Sequence, residues 1–179
     1  MNGDNVAGFR AVLRRASRLR TGEPIPSSTP DQAALVLETF FASANSSVRI
    51  VTGRLNARIY GRDPVIIEAK KFLADRNRVL EIIFLSEVRP RIVDVHPLLA
   101  SLRYNDNVRL FHASKLAHDT FLFHFCVADS DAYRLKREPD SHASITAFGD
   151  EAFASKLIEV FALLRENSTE INLAQAEMA

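Results

Sequence analysis

Five histidines, His96, His112, His118, His124 and His142, are the side chains best suited to proton or phosphoryl chemistry. A metal site asks for ligands at close repeated spacing, such as His-x-x-x-His on a helix or paired cysteines, and neither occurs. No metal centre and no cofactor is therefore expected, and His118-Asp119 is adjacency alone. Phosphoryl transfer through an imidazole needs an uncharged, accessible ring and a second group to protonate the leaving oxygen. Phe123 and Phe125 on either side of His124 favour a histidine satisfied in a core or pocket over a base. No Gly-x-Ser-x-Gly or P-loop motif supports acyl transfer or nucleotide hydrolysis.

Arginines supply the other candidate chemistry. Arg54, Arg58 and Arg62 recur at spacing four, so on a helical turn they would share one face and offer planar forks to phosphate or carboxylate. The competing reading is a solvated loop in which one arginine pairs with Asp63. Arg10, Arg14, Arg15, Arg18 and Arg20 oppose only Asp4 in the first 20 residues, a local charge of +4 that leaves −3 on the rest of a chain whose total is +1. Arg10, Arg14, Arg15 and Arg18 are candidate contacts to a protein partner or, less favoured given the acidic remainder, to nucleic acid.

Those arginines lie between Val6, Phe9, Val12, Leu13, Ala16 and Leu19, so residues 5–20 are expected to form an amphipathic helix that buries its apolar stripe against protein. Gly22, Pro24, Pro26 and Pro30 then predict a stiff connector, dividing the chain into an arm and connector at 1–29, a domain at 30–166 and a tail at 167–179. Thr29-Pro30-Asp31 opens a helix to about Ser43, and Asp63-Pro64 repeats the signal for one from Val65 to about Arg76. Val48 to Thr52, Val79 to Leu85 and Val108 to Phe111 read as strands, with a short helix from His96 to Arg103 between the last two. Phe121 to Ala128 alternates with both faces apolar and predicts a central strand. Asp129-Ser130-Asp131 turns into strands at Ala132 to Leu135 and Ser144 to Ala147, and a helix closes the domain from Asp150 to Arg165. The expected class is α/β, a mixed sheet flanked by helices.

At 179 residues with 47% apolar content, the chain suits a single core. No window nears the roughly 18 uninterrupted apolar residues of a membrane helix. The beginning Met-Asn-Gly-Asp lacks a signal-peptide h-region, so a cytoplasmic protein is expected. The lone Cys126 lies inside an apolar run and reads as a buried structural thiol.

The segment Phe123-His124-Phe125-Cys126-Val127-Ala128-Asp129-Ser130-Asp131-Ala132-Tyr133-Arg134 resembles the second part of a phospholipase D-like unit. There, an alternating strand ends in an Asp and a turn before the next strand. Ser144 to Asp150, leading into a helix with Phe153, Leu157, Val160 and Phe161, is similar to that family's ending. The resemblance spans roughly residues 30–165. It implies a phosphate site built on His-x-Lys-x-x-x-x-Asp, with the histidine as nucleophile and the lysine holding the phosphate charge. Three alignments fit in part. Asp129 as the acid puts Leu122 and His124 at the other two positions; His118 as nucleophile puts Thr120 and Phe125 there; His124 as nucleophile puts Cys126 and Asp131 there. None is intact, and each lacks the lysine. The resemblance therefore implies a noncatalytic binding or regulatory domain, and the shortness of the unit implies a homodimer or a larger assembly. The alternatives are a divergent phosphodiesterase or nuclease using His124 with Asp129 or Asp131, and a nucleic-acid binder acting through the Arg-rich helix.

Overall fold

The computed structural model describes residues 3–86, 92–121, 123–138 and 141–171. The elements in chain order are α1 (Gly3–Leu19), β1 (Ile25–Ser27), α2 (Pro30–Ser43), β2 (Ser47–Thr52), α3 (Ala57–Tyr60), α4 (Asp63–Leu73), β3 (Val79–Phe84), α5 (Ile92–Val95), α6 (Pro97–Leu102), β4 (Val108–Ala113), α7 (Lys115–Thr120), β5 (His124–Ala128), β6 (Ala132–Lys136), β7 (Ser144–Phe148), α8 (Glu151–Glu166) and β8 (Ser168–Ile171). The strands form one mixed sheet in the order β1-β7-β6-β5-β2-β3-β4-β8. β2, β3 and β4 run parallel, and the other pairings are antiparallel. This is the α/β mixed-sheet class that the sequence predicts.

Local chemistry sets the helix starts. The Thr29 hydroxyl accepts from the Gln32 N–H at 3.2 Å while Gln32 Oε1 accepts from the Ser28 N–H at 2.9 Å, so two otherwise unpaired donors at the start of α2 are satisfied. Asp150 accepts from the Phe153 N–H at 3.1 Å to start α8. α4 differs from expectation: Asp63 is its first residue, Arg62 precedes it with no side-chain cap, and it ends at Leu73. Pro64 tolerates the first turn because its missing N–H has no helical acceptor there.

The two sheet faces carry separate cores. On one, Val48, Ile50, Leu80, Ile82, Leu110 and Cys126 pack beneath α1, α2, α4 and α6. On the other, Val51, Ile83, Phe111, Phe125, Val127 and Ala147 pack beneath α8, which contributes Ala154, Leu157, Phe161 and Leu164. Successive strand residues point to opposite faces, so near-continuous apolar strands are what two covered faces require.

The ends of the chain depart from the expected picture. The connector contributes β1, paired antiparallel with β7, and the tail contributes β8, paired with β4. Both are short and polar, and their structure comes from a distant partner strand rather than from local pattern. The strand expected from Phe121 begins only at His124. Lys115–Thr120 forms α7, started by the Ser114 hydroxyl, and the Phe121 N–H bonds back to the Ala117 carbonyl at 2.9 Å. The alternating phenylalanines serve packing instead: ring centroids lie 5.5 Å apart for Phe121 and Phe123, and 6.0 Å for Phe123 and Phe125. The helix expected at His96–Arg103 forms as α6, with His96 and Arg103 as its caps, and the separate short helix α5 precedes it.

α1 forms as its periodicity demands, and its stripe is seated on the domain. Leu13 is fully buried, and Val6, Phe9 and Ala16 pack against the same core. Arg10 pairs with Glu38, and Arg20 forms a two-point ion pair with Asp131. Just past the helix, the chain presses so closely on Gly149 that a Cβ there would lie 2.0 Å from the Arg20 carbonyl oxygen; Gly149 itself has φ +89°. Glycine is required at that contact. Because Leu13 is a core residue, Leu13→Ala is expected to cost about 2–5 kcal/mol in urea unfolding, whereas an arm that merely rests on the surface would lose well under 1 kcal/mol on the same change.

Candidate anion-binding cavity

The turn at Asp129–Asp131 folds β5 against β6 so that Ala128 opposes Ala132 and, four residues farther on, His124 opposes Lys136. On the other side β5 runs antiparallel to β2, which brings His124 to the carboxyl end of β2, beside Gly53. Ligands of open α/β sheets bind at such strand ends. A cavity of about 540 Å³ opens here, walled by Gly53, Arg54, Tyr60, Ser86, Phe121, His124, Arg134, Lys136 and His142 among others. Among the described residues, no carboxylate lines it.

His124 is held by the backbone. Its Nε2 accepts a hydrogen bond from the Gly53 N–H at 3.1 Å, which assigns the ring proton to Nδ1. A Cβ at residue 53 would lie 3.2 Å from that nitrogen and 3.3 Å from Ser86 Oγ, so glycine lets the chain come close. Burial, reinforced by the charges of Lys136 and Arg134, drives the imidazole down to about 4, and the ring is neutral at physiological pH. Arg134, two residues from Lys136 on the same face of β6, is only 9% exposed, and its Nε has no hydrogen-bond partner. Burial pulls its guanidinium down from the usual value, with Tyr60 and Cys126 acting the other way. Burial also pushes the Tyr60 hydroxyl up to about 12, so it stays a neutral donor.

The two acids expected beside His124 lie at the opposite end of β5, about 17 Å away along a five-residue strand. Asp129 sits at φ +53° and accepts from the N–H groups of Asn45, Ser46 and Ser47 at 2.8–3.1 Å and from the Ser46 hydroxyl at 2.9 Å. Burial pulls its carboxyl up, but those donors prevail and hold it below the usual carboxylate range. Asp131 is engaged by Arg20. Neither carboxylate reaches the imidazole. Leu122 and the side chain of His118, which two of the motif alignments invoke, lie outside the described residues.

Of the three arginines at spacing four, only Arg54 lines the cavity. α3 spans just Ala57–Tyr60, so Arg54 and Arg62 flank a single turn instead of sharing one face. Arg62 donates to the Arg58 carbonyl at 2.7 Å and pairs with Asp31, not Asp63. Arg58 is exposed. On α1, Arg10 is engaged by Glu38, while Arg14, Arg15 and Arg18 are exposed and form no ion pair with any described carboxylate. Cys126 is buried, and burial pushes its thiol up to about 12, which makes it inert as a nucleophile. Among the described residues, no three His, Cys, Asp or Glu side chains converge as a metal site.

The residues that sequence reasoning missed are Lys136, Arg134, Ser86 and His142. A usable signal existed for the first two. Once Asp129-Ser130-Asp131 is read as a tight turn, counting back along both strands places position 136 opposite His124.

This fold is phospholipase D-like. The chain superposes on the phospholipase D family member Nuc from Salmonella typhimurium with a TM-score of 0.54 at 14% identity, covering 84% of this chain and 99% of that one. NucT from Helicobacter pylori gives 0.56 at 15% identity, over 83% of this chain and 100% of that one. TrmBL2, an archaeal chromatin protein whose structure shows a novel mode of DNA binding, gives 0.59 at 11% identity over 94% of this chain, which spans 62% of TrmBL2. No protein-family model and no curated protein matches the sequence.

The buried histidine leaves a pH signature. Its folded value lies below the unfolded one near 6.5, so below that pH the unfolded chain binds the extra proton and stability falls with acid until about 4. His96, only 5% exposed and also lowered by burial, adds in the same direction. Urea midpoints should drop more steeply from pH 7 to pH 5 in the wild type than in His124→Gln, by up to about 1.4 kcal/mol per pH unit; parallel curves would refute a neutral buried ring.

Proposed function

We propose that this chain is a noncatalytic phospholipase D-like domain that works by binding, in the cytoplasm, as a homodimer or as part of a larger assembly. The observation that carries this reading is the hydrogen bond from the Gly53 N–H to His124 Nε2. Attack on phosphorus needs a free imidazole lone pair, and the only lone pair of a neutral ring protonated on Nδ1 is the one Gly53 engages. Neither Asp129 nor Asp131 is near enough to orient the ring or to protonate a leaving oxygen. Basic groups surround the imidazole, which suits holding an anion more than cleaving one. Purified protein should leave bis(4-nitrophenyl) phosphate, single- and double-stranded DNA and phosphatidylcholine intact at high protein concentration. Cleavage of any of these that disappears in His124→Ala would establish a phosphodiesterase instead.

A second reading, nucleic-acid binding through α1, is favoured by Arg14, Arg15 and Arg18, which stand exposed along one side of the helix. The similarity in fold to TrmBL2 lends it weight. Each phosphate contact contributes about −0.9 to the slope of log affinity against log salt. Replacing all three arginines with alanine should therefore weaken duplex binding and flatten that slope by about 2–3. An unchanged slope in the triple variant would remove α1 from the interface.

A further inference from the structure

We propose that a second cavity, at the amino ends of β3 and β4, binds a guanine base carrying a 5′-phosphate, with Tyr104 stacked on the ring, Asp106 on its donor edge and Arg76 on the phosphate. The proposal is independent of the cavity beside His124, which lies at the other end of these parallel strands.

The cavity measures about 360 Å³, within the roughly 300–1,000 Å³ of small-molecule sites. Leu73, Ala74 and Arg76 line it from the end of α4 and the loop that follows, and Tyr104, Asn105 and Asp106 from the loop between α6 and β4. Asn107 fastens one wall to the other: its Nδ2 donates to the carbonyls of Leu73 at 3.2 Å, Asp75 at 3.3 Å and Arg78 at 2.7 Å. The walls are thus in place before a ligand arrives.

Tyr104 is the first pointer to that ligand. It is 87% exposed, and the Arg103 guanidinium, which donates to Asp94 at 3.0 Å, lies over its ring at 5.4 Å from the centroid. An exposed aromatic ring steadied in this way is a stacking platform for a flat heterocycle.

Charge is the second pointer. Arg76 and Asp106 line the same cavity, and among the described residues neither forms an ion pair with the other or with any third group. Asp75, the acid next to Arg76, is engaged by Arg78 at 3.5 Å. A ligand with an anion at one end and a hydrogen-bond donor edge at the other satisfies both charges. A carboxylate only accepts. Among the common bases, guanine alone sets two adjacent N–H donors, N1 and N2, on its Watson–Crick edge. Adenine and cytosine place a donor beside an acceptor, and uracil and thymine flank one donor with acceptors. Asp106 therefore selects guanine, the Asn105 amide can donate to O6, and the planar fork of Arg76 is left for the phosphate.

The test is calorimetric titration of the full chain near neutral pH with guanosine 5′-monophosphate, adenosine 5′-monophosphate and guanosine. The guanine nucleotide should bind at least about tenfold more tightly than the adenine nucleotide. Guanosine should bind about tenfold more weakly than its 5′-phosphate, and Arg76→Ala should remove that difference. Tyr104→Ala should weaken both nucleotides about tenfold, and Asp106→Asn should bring them to nearly equal affinity. All three side chains are exposed, so each variant should keep the wild-type melting temperature. A short single strand that begins with guanosine 5′-phosphate and continues in thymidine separates the two sources of this group. Tighter binding than the mononucleotide would mark the 5′ end of a nucleic acid, and equal or weaker binding a free nucleotide. No binding of guanosine 5′-monophosphate, equal affinity for the adenine nucleotide, wild-type affinity in Tyr104→Ala, or a guanine preference that survives Asp106→Asn would each overturn the proposal.

Discussion

The Asp129 carboxylate holds the two halves of the sheet in register. It caps the turn before β2 from the end of β5, and its left-handed backbone starts the turn into β6. Because side chains alternate with period two, a slip of one residue of β5 against β2 would send His124, Arg134 and Lys136 to the opposite face, under α8, and a slip of β6 against β5 would send Arg134 and Lys136 there. One carboxylate at the closed end of the strands therefore determines which groups meet at the open end. An acid that the sequence offers as a catalytic partner acts as a positioning element, remote from the cavity.

The chemistry at the open end follows from desolvation. Burial opposes charge on His124, and the neighbouring cations oppose it further, so the imidazole stays neutral where a surface histidine would titrate near pH 6.5. The same burial is unfavourable for Arg134, whose charge survives because guanidinium loses its proton only at very high pH. The cavity thus holds permanent cations around a neutral ring whose nitrogen lone pair is already in use.

Much of this fold is legible in the chain, for identifiable reasons. α2 and α8 are announced by their caps, the interior strands by β-branched and aromatic runs, and α1 by a stripe whose spacing is unmistakable. β1 and β8 are not legible, since a few polar residues become strand only when a distant edge accepts their hydrogen bonds. β5 misleads at its beginning, where phenylalanines alternate for packing while the backbone is still completing α7. The cavity was half visible: His124 and Arg54 stand out by type and place, but Lys136 comes to stand opposite His124 only across the ladder. Sequence motifs describe neighbours along the chain, and a hairpin exchanges them for neighbours across it.

The seam between α1 and the domain bears on the order of events during synthesis. Leu13 can settle against α2 as soon as that helix has emerged, but Arg20 needs Asp131, the Gly22 N–H needs the Phe148 carbonyl, and β1 needs β7. Those partners leave the ribosome more than a hundred residues after the segments that await them. A segment made well before its partners is thus among the last to find its place, and until then an arginine-rich helix with half its seat unbuilt stands beside the nascent domain.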